Sequence, residues 1–377
     1  MKLSRMFATL VIALLAASAL AQLKTTIAIA AGTPEDQALQ AITSEPDAQK
    51  RTAMLEDFVQ KFASNPAAVA YGNWQLAQNA VAAGKPEQAL PYGDKALAAM
   101  PDVIDILVSQ ADVAQQLKNS AKVVDYATRG AAVVASVAHQ PKVEGLSDDD
   151  WARRLEEQKK ALQPNLEYLE VAAYNAITAE QDKQKRMHEI NQFLPAFPGS
   201  KFAQPLTTLA IVTLQDMKDV AGLAAFGDKV LASSPSDIRL LTVLANAYAD
   251  DPSGAHLAKA TTYARRAIEL QSKQGAAADA TSKTFAGLAH SVLGYALLRE
   301  NKFQPAAVEL KSATTMLKDS PSDLAAALYR LGFAYAKLER AADATKALNE
   351  AAQIDGPYQP MARDLLAKIK AARAGAR

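Results

Sequence analysis

Residues 73–101 read NWQLAQNAVAAGKPEQALPYGDKALAAMP. Leu76 and Ala77 set a large side chain beside a small one, Gly84 breaks the chain, and Pro86 restarts it. Ala89 and Ala96 follow seven residues apart, and Pro101 ends the run. Apolar positions recur at helical period on both sides of the glycine, so the stretch predicts two amphipathic helices joined by a tight turn. Neither helix is long enough to be stable alone, and the alanines fall where two helices must approach closely. Such a unit buries its apolar face by stacking on copies of itself, so copies should flank it.

They do. Adding 34 to Ala77 gives Ala111, and the same step takes Ala96 to Gly130. A third pair therefore runs from Asp102 to His139, with Gln110 in the large slot and Lys118 at the turn. Upstream, Thr33 reads as an N-cap with Pro34 at the first helical position and Glu35 and Asp36 in the first turn. That predicts a helix over about Pro34–Thr43, and a second over Asp47–Phe62 with Leu55, Phe58, Val59 and Phe62 on one stripe. After a break at 140–150, Ser147 reads as an N-cap with Asp148, Asp149 and Asp150 facing the helix dipole. Calcium is the alternative for those acids, but the alternating oxygen ligands of an EF-hand are missing. Trp151–Leu162 predicts an extra helix closed by Gln163-Pro164.

Gln40–Phe62 reads QAITSEPDAQKRTAMLEDFVQKF, and 135 residues on Asn175–Phe197 reads NAITAEQDKQKRMHEINQFLPAF. Ala-Ile-Thr, a Glu, an Asp, Gln-Lys-Arg and both Phe are shared, and in the same frame Ala77 maps near Ala210 and Ala111 near Ala245. Pairs one to three thus recur as pairs four to six, at about Asn165–Pro198, Lys201–Pro235 and Ser236–Gln271, the last with a longer turn at 250–254. A small-residue linker at Gly275–Ala280 precedes a seventh pair with Leu293-Gly294, Ala306, Leu310 and Ala313. The eighth shows Leu328, Leu331-Gly332, Tyr335, Ala344, Leu348 and Ala351, and Tyr358–Arg373 is one unpaired amphipathic helix, as a terminal cap should be.

The pattern resembles the tetratricopeptide repeat, a 34-residue unit with Leu and a small residue early in helix A, Gly at the turn, two Ala in helix B and a closing Pro. Asn73 stands in the slot of its usual Trp, with Trp74 one place on, and Ala80 replaces its usual Tyr. The resemblance implies an all-α fold, an α-α superhelix of about eight helix-turn-helix repeats. The expected organisation is a signal peptide at 1–21, repeats one to three with the extra helix at 22–163, and repeats four to six at 164–274. Repeats seven and eight follow at 275–357, and the capping helix and tail at 358–377.

Composition agrees with close-packed helices: 50% of residues are hydrophobic but only 6% aromatic. Lys and Arg number 41 against 40 acids, so no basic footprint for nucleic acid exists. Cys is absent, which removes disulfides, thiolate metal sites and Cys nucleophiles. The four histidines, at 139, 188, 256 and 290, are out of helical reach of one another, and no H-E-x-x-H, G-x-S-x-G, G-x-G-x-x-G or Walker-type loop occurs. No cofactor is expected. Lys2 and Arg5, the apolar run Phe7–Ala17 and Ala19-Leu20-Ala21 form a signal-peptide pattern that predicts cleavage before Gln22 and a periplasmic or secreted bacterial protein. Contact with a membrane is expected only if the signal is kept as an anchor.

A fold of this kind does not fix a function. The resemblance implies a non-enzymatic scaffold of the bacterial envelope, binding a protein or peptide in a concave groove lined by the A helices. Carried over position by position, the groove is Tyr71, Trp74 and Gln78; Arg239, Thr242, Asn246 and Asp250; Ser291, Tyr295 and Arg299; and Tyr329, Phe333 and Lys337. The carboxylate clamp of chaperone-binding members pairs Lys with Asn on one helix A; Thr242 stands four residues before Asn246, which argues against a chaperone-tail adaptor. Alternatives are an assembly or lipid-transport factor at a membrane, and a repeat scaffold with a cryptic hydrolytic site. No pattern sets an oligomeric state.

Overall fold

The computed structural model describes residues 26–274 and 280–375. The signal segment and all but the last residue of the linker at 275–280 lie outside the described residues. Within them every extended regular element is an α-helix. They come in pairs: α1 (Pro34–Ser44) with α2 (Ala48–Lys61), α3 (Pro66–Ala82) with α4 (Pro86–Ala99), and α5 (Ile104–Gln116) with α6 (Ser120–Ser136). Next come α7 (Asp148–Ala179) with α8 (Lys183–Ala196), α9 (Ala203–Asp216) with α10 (Val220–Ser233), and α11 (Ile238–Ala249) with α12 (Leu257–Gln274). Last are α13 (Ala280–Arg299) with α14 (Phe303–Met316), α15 (Pro321–Lys337) with α16 (Ala341–Ala351), and the unpaired α17 (Tyr358–Gly375). The chain forms two compact units, one up to Leu206 and one from Thr207. Inside each, consecutive helices pack together, as α3 does on α4 and α13 on α14, and first helices of adjacent pairs also touch, as α5 does α7 and α11 and α15 do α13.

The turn within a pair follows one geometry in five of the eight. Gly84, Lys118, Lys218, Asn301 and Glu339 each take a left-handed φ of 53° to 72°. The next N–H reaches five residues back: Lys85 to the Ala80 carbonyl, Asn119 to Ala114, Asp219 to Leu214, Lys302 to Leu297 and Arg340 to Tyr335, all at 2.8–3.0 Å. These are Schellman bonds, which satisfy carbonyls the helix end leaves open and reverse the chain in two or three residues.

Small residues set how closely helices approach. Ala77, Ala89, Ala96, Ala306 and Ala344 are all fully buried, as their spacing requires. At Gly294 and Gly332 a Cβ would lie 2.5 Å from Leu310 Cγ and Leu348 Cγ, so only glycine fits against helix B.

One expected boundary fails. The extra helix and helix A of the fourth repeat are a single 32-residue helix, α7, which runs through Pro164. The division at 163/164 therefore falls inside a helix. Pro164 cannot donate to the Lys160 carbonyl, but both residues are exposed, so water can serve that carbonyl. Leu162 and Leu169, seven residues apart and both buried, keep one apolar stripe continuous across it. Ser147 caps the start, accepting the Asp150 N–H at 3.1 Å, so the three acids begin a helix as expected.

Candidate functional site

The A helices α11, α13 and α15 lie side by side in the second unit and carry nine of the thirteen expected groove residues, with a tenth, Asp250, at the C-cap of α11. Their chemistry builds up from helical periodicity. On α15, Asp323, Arg330 and Lys337 recur every seven residues, so they share a face, with Phe333 between the last two. Arg330 leans over Tyr295 of α13 with its guanidinium carbon 4.2 Å from the ring centroid, and donates to Ser291 Oγ at 3.3 Å. Arg239 of α11 lies 5.7 Å over Phe285, and Lys337 lies 5.6 Å over Phe333. Cations held over ring faces keep their N–H edges outward. Asn246 donates to Asp250 at 3.1 Å. Loss of hydration pushes the carboxyls of Asp250 and Asp323 up, and Arg330 pulls both down without cancelling it.

Four expected positions do different work. Thr242 is 2% exposed, and its hydroxyl donates to the Ile238 carbonyl at 2.7 Å, so it is packed between helices and presents nothing. Ser291, at 4%, is buried under Arg330. Arg299 donates to the carbonyls of Ala249 and Pro252 at 2.9 Å and also to that of Asp251. It is spent holding the longer turn of the sixth pair. Tyr329 turns toward α17, 5.7 Å from Tyr358, in the core formed with Leu328, Leu348, Ala362 and Leu366. Arg330, not Tyr329, lies across Tyr295. The seven-residue recurrence of 323, 330 and 337 was the available signal. Phe285, about two turns ahead of the Leu293-Gly294 pair, had none.

In the first unit Tyr71 and Trp74 are half-buried and Gln78 exposed on α3. Burial pushes the Tyr71 phenol up, and Trp74 Nε1 is enclosed with no hydrogen-bond partner.

The helix pairs have the helix-turn-helix architecture that the tetratricopeptide resemblance implies. No protein-family model matches the sequence, and no curated protein does. Among solved structures the chain is similar to yeast Tom70, at 12% identity and a TM-score of 0.42 over 93% of this chain and 68% of that one. It is also similar to the TPR domain of P58(IPK), at 12% identity and a TM-score of 0.31 over 92% of this chain and 99% of that one. Both likenesses concern architecture alone. Among the described residues no group of three or more His, Asp or Glu is placed to hold a metal ion, and no helix is long and apolar enough to cross a membrane.

Proposed function

We propose that the chain is a non-enzymatic interaction scaffold of the bacterial cell envelope that holds a protein or peptide partner against the α11–α13–α15 face. The observation that carries the reading is Arg330 stacked on Tyr295 beside Phe333 and Lys337. Arg330 gives one N–H to Ser291, whereas Arg299 gives its guanidinium to three turn carbonyls, so Arg330 and Lys337 keep donors for a partner. Interfaces concentrate their energy in such aromatic and Arg anchors, because rings bury area at low entropy cost and a guanidinium gives planar hydrogen bonding. Export rests on the signal-peptide pattern of residues 1–21.

Proximity labelling with the exported chain identifies the partner, and titration of that partner against variants tests the face. Arg330→Ala and Phe333→Ala should each weaken binding by about thirtyfold, near 2 kcal/mol, without lowering the melting temperature. Gln78→Ala in the first unit should leave it unchanged. Full affinity in both face variants would place the partner elsewhere. Intact mass of the exported form should begin at Gln22; a full-length, membrane-held species would replace export by anchoring.

A further inference from the structure

Ser120 opens α6 with its hydroxyl between two carboxyls of the α7/α8 pair. Its Oγ lies 2.6 Å from Glu180 Oε2 and 2.6 Å from Glu189 Oε1. A hydroxyl carries one proton and can donate to only one of them, so the other contact at this distance needs a proton of its own. The surroundings decide where it sits. Glu180 Oε1 already accepts the Asp182 N–H at 2.8 Å, and the Ser120 bond is the main cause holding this carboxyl below the usual range. Glu189 is 0% exposed and its Oε2 has no hydrogen-bond partner. Burial pushes its carboxyl up, and the Glu180 charge adds to the push.

The other charged groups do not offset this. α8 packs against α6 and α7. From α7 it faces Glu180. On α8 itself His188 and Lys185 pull the other way, more weakly than burial. Arg186 is turned to the Glu180 carbonyl oxygen at 3.0 Å. On the α6 side Lys122 is drawn to Asp94 at 2.9 Å, and Lys118 stands in the turn before Ser120.

We propose that Glu189 keeps its proton in the folded chain, donating to Ser120 while Ser120 donates to ionised Glu180, and that losing this proton as pH rises loosens the α6/α8 joint. The joint links the third and fourth pairs, where one copy of the duplicated block meets the next. In the first copy the position of Glu189 is held by Met54, so the proton site belongs to the joint and not to the repeat.

The sign follows from linkage. The folded chain holds a proton that the opened one has lost, over the window between the ordinary glutamate value and the raised folded one. Protection of the joint is therefore complete below that window and falls as pH rises through it, the opening equilibrium growing tenfold per pH unit until it levels off. Hydrogen exchange of the full chain, followed by peptide from about pH 5 to about pH 8 and corrected for the intrinsic rate, reads this directly. Wild type should lose protection in α6 and α8 but not in α3 and α4. Glu189→Gln, whose amide still donates to Ser120, should abolish the pH dependence there, and so should Glu189→Met, which copies Met54 should the amide not be tolerated. A protonated-carboxyl infrared band should be present in wild type and missing from both variants. Equal pH dependence in wild type and variants, or no such band at about pH 6, would overturn the proposal.

Discussion

Glu45 accepts the Asp47 N–H at 2.8 Å, and 135 residues on Glu180 accepts the Asp182 N–H at 2.8 Å. The likeness continues residue by residue. Arg51 donates to the Glu45 carbonyl and Arg186 to that of Glu180. Phe58 lies 5.0 Å from Phe62, and Phe193 lies 4.6 Å from Phe197. Asp94 of α4 takes both Lys122 Nζ and Tyr126 Oη of α6, at 2.9 and 2.7 Å. Asp228 of α10 takes Lys259 and Tyr263 of α12 at 2.7 and 2.8 Å. The two blocks part company in the core. Under Gly93 lies the amide of Gln110, while under Gly227 lie Leu244 and Tyr248. Bonds that cap a helix or latch one pair to the next have been kept, because each pair is stable only against its neighbour. Core volume has been free to drift.

The largest effect should come from truncating the two side chains that face those glycines. Leu244 is 0% exposed and fills its site with carbon, so Leu244→Ala should cost about 2–5 kcal/mol through lost burial and a cavity. Gln110→Ala should cost far less, because both polar atoms of that buried amide lack a partner and removing them relieves a penalty. Urea midpoints of the two variants check it, and equal losses would show the two cores to be equivalent after all.

The latches should separate next. Tyr126 is 0% exposed, and its phenol is pushed up by burial and by the Asp94 bond. Tyr126→Phe should lose about 1.5–3 kcal/mol, the range for a hydrogen bond to a charged partner. Tyr263 is only half-buried, its phenol pushed up to about 12 by burial and by Asp228, and Tyr263→Phe should lose less. Thermal melts of the pair decide it; a larger loss at Tyr263 would mean that the second latch, not the first, carries the coupling.

Gln110→Leu works in the opposite direction, making the first core resemble the second. Removing a buried, unpartnered amide should raise stability by about 1–3 kcal/mol. A fall in the urea midpoint instead would show that an ordered water serves Gln110.

Helix pairs, their turns and their small contact residues were legible because each rests on local chemistry. Leu76-Ala77, Ala89 and Ala96 announce a close contact by spacing alone, and all are buried. What one chain could not show was the angular setting of a helix face. Tyr329 and Arg330 are neighbours in sequence, yet the first enters the C-terminal core and the second crosses to Tyr295. The choice depends on α17 and α13, which are distant in sequence. Arg299 was placed on the expected helix, but its role was set by carbonyls of a turn 47 to 50 residues away. Pro164 misled for the opposite reason: a local rule yielded to the buried stripe of Leu162 and Leu169.

The smallest effect isolates the turn. Gly84 in the first copy corresponds to Lys218 in the second, 134 residues on, and they share one conformation, φ 72° and 56°. A Cβ built at Gly84 meets nothing within 4 Å, so packing does not decide between the residues there. Backbone energy does. A left-handed residue with a side chain costs about 1–2 kcal/mol, and glycine gives back about 0.5–1 kcal/mol of that through its freer unfolded state. Lys218→Gly should therefore stabilise the second copy by about 0.5 kcal/mol, and Gly84→Ala should destabilise the first by about as much, with opposite shifts in melting temperature. The bonds from Lys85 to Ala80 and from Asp219 to Leu214 stay in place in both variants, so no other contact confounds the comparison. Shifts of the same sign would mean that the two turns are held by their surroundings and not by the backbone preference of a single residue.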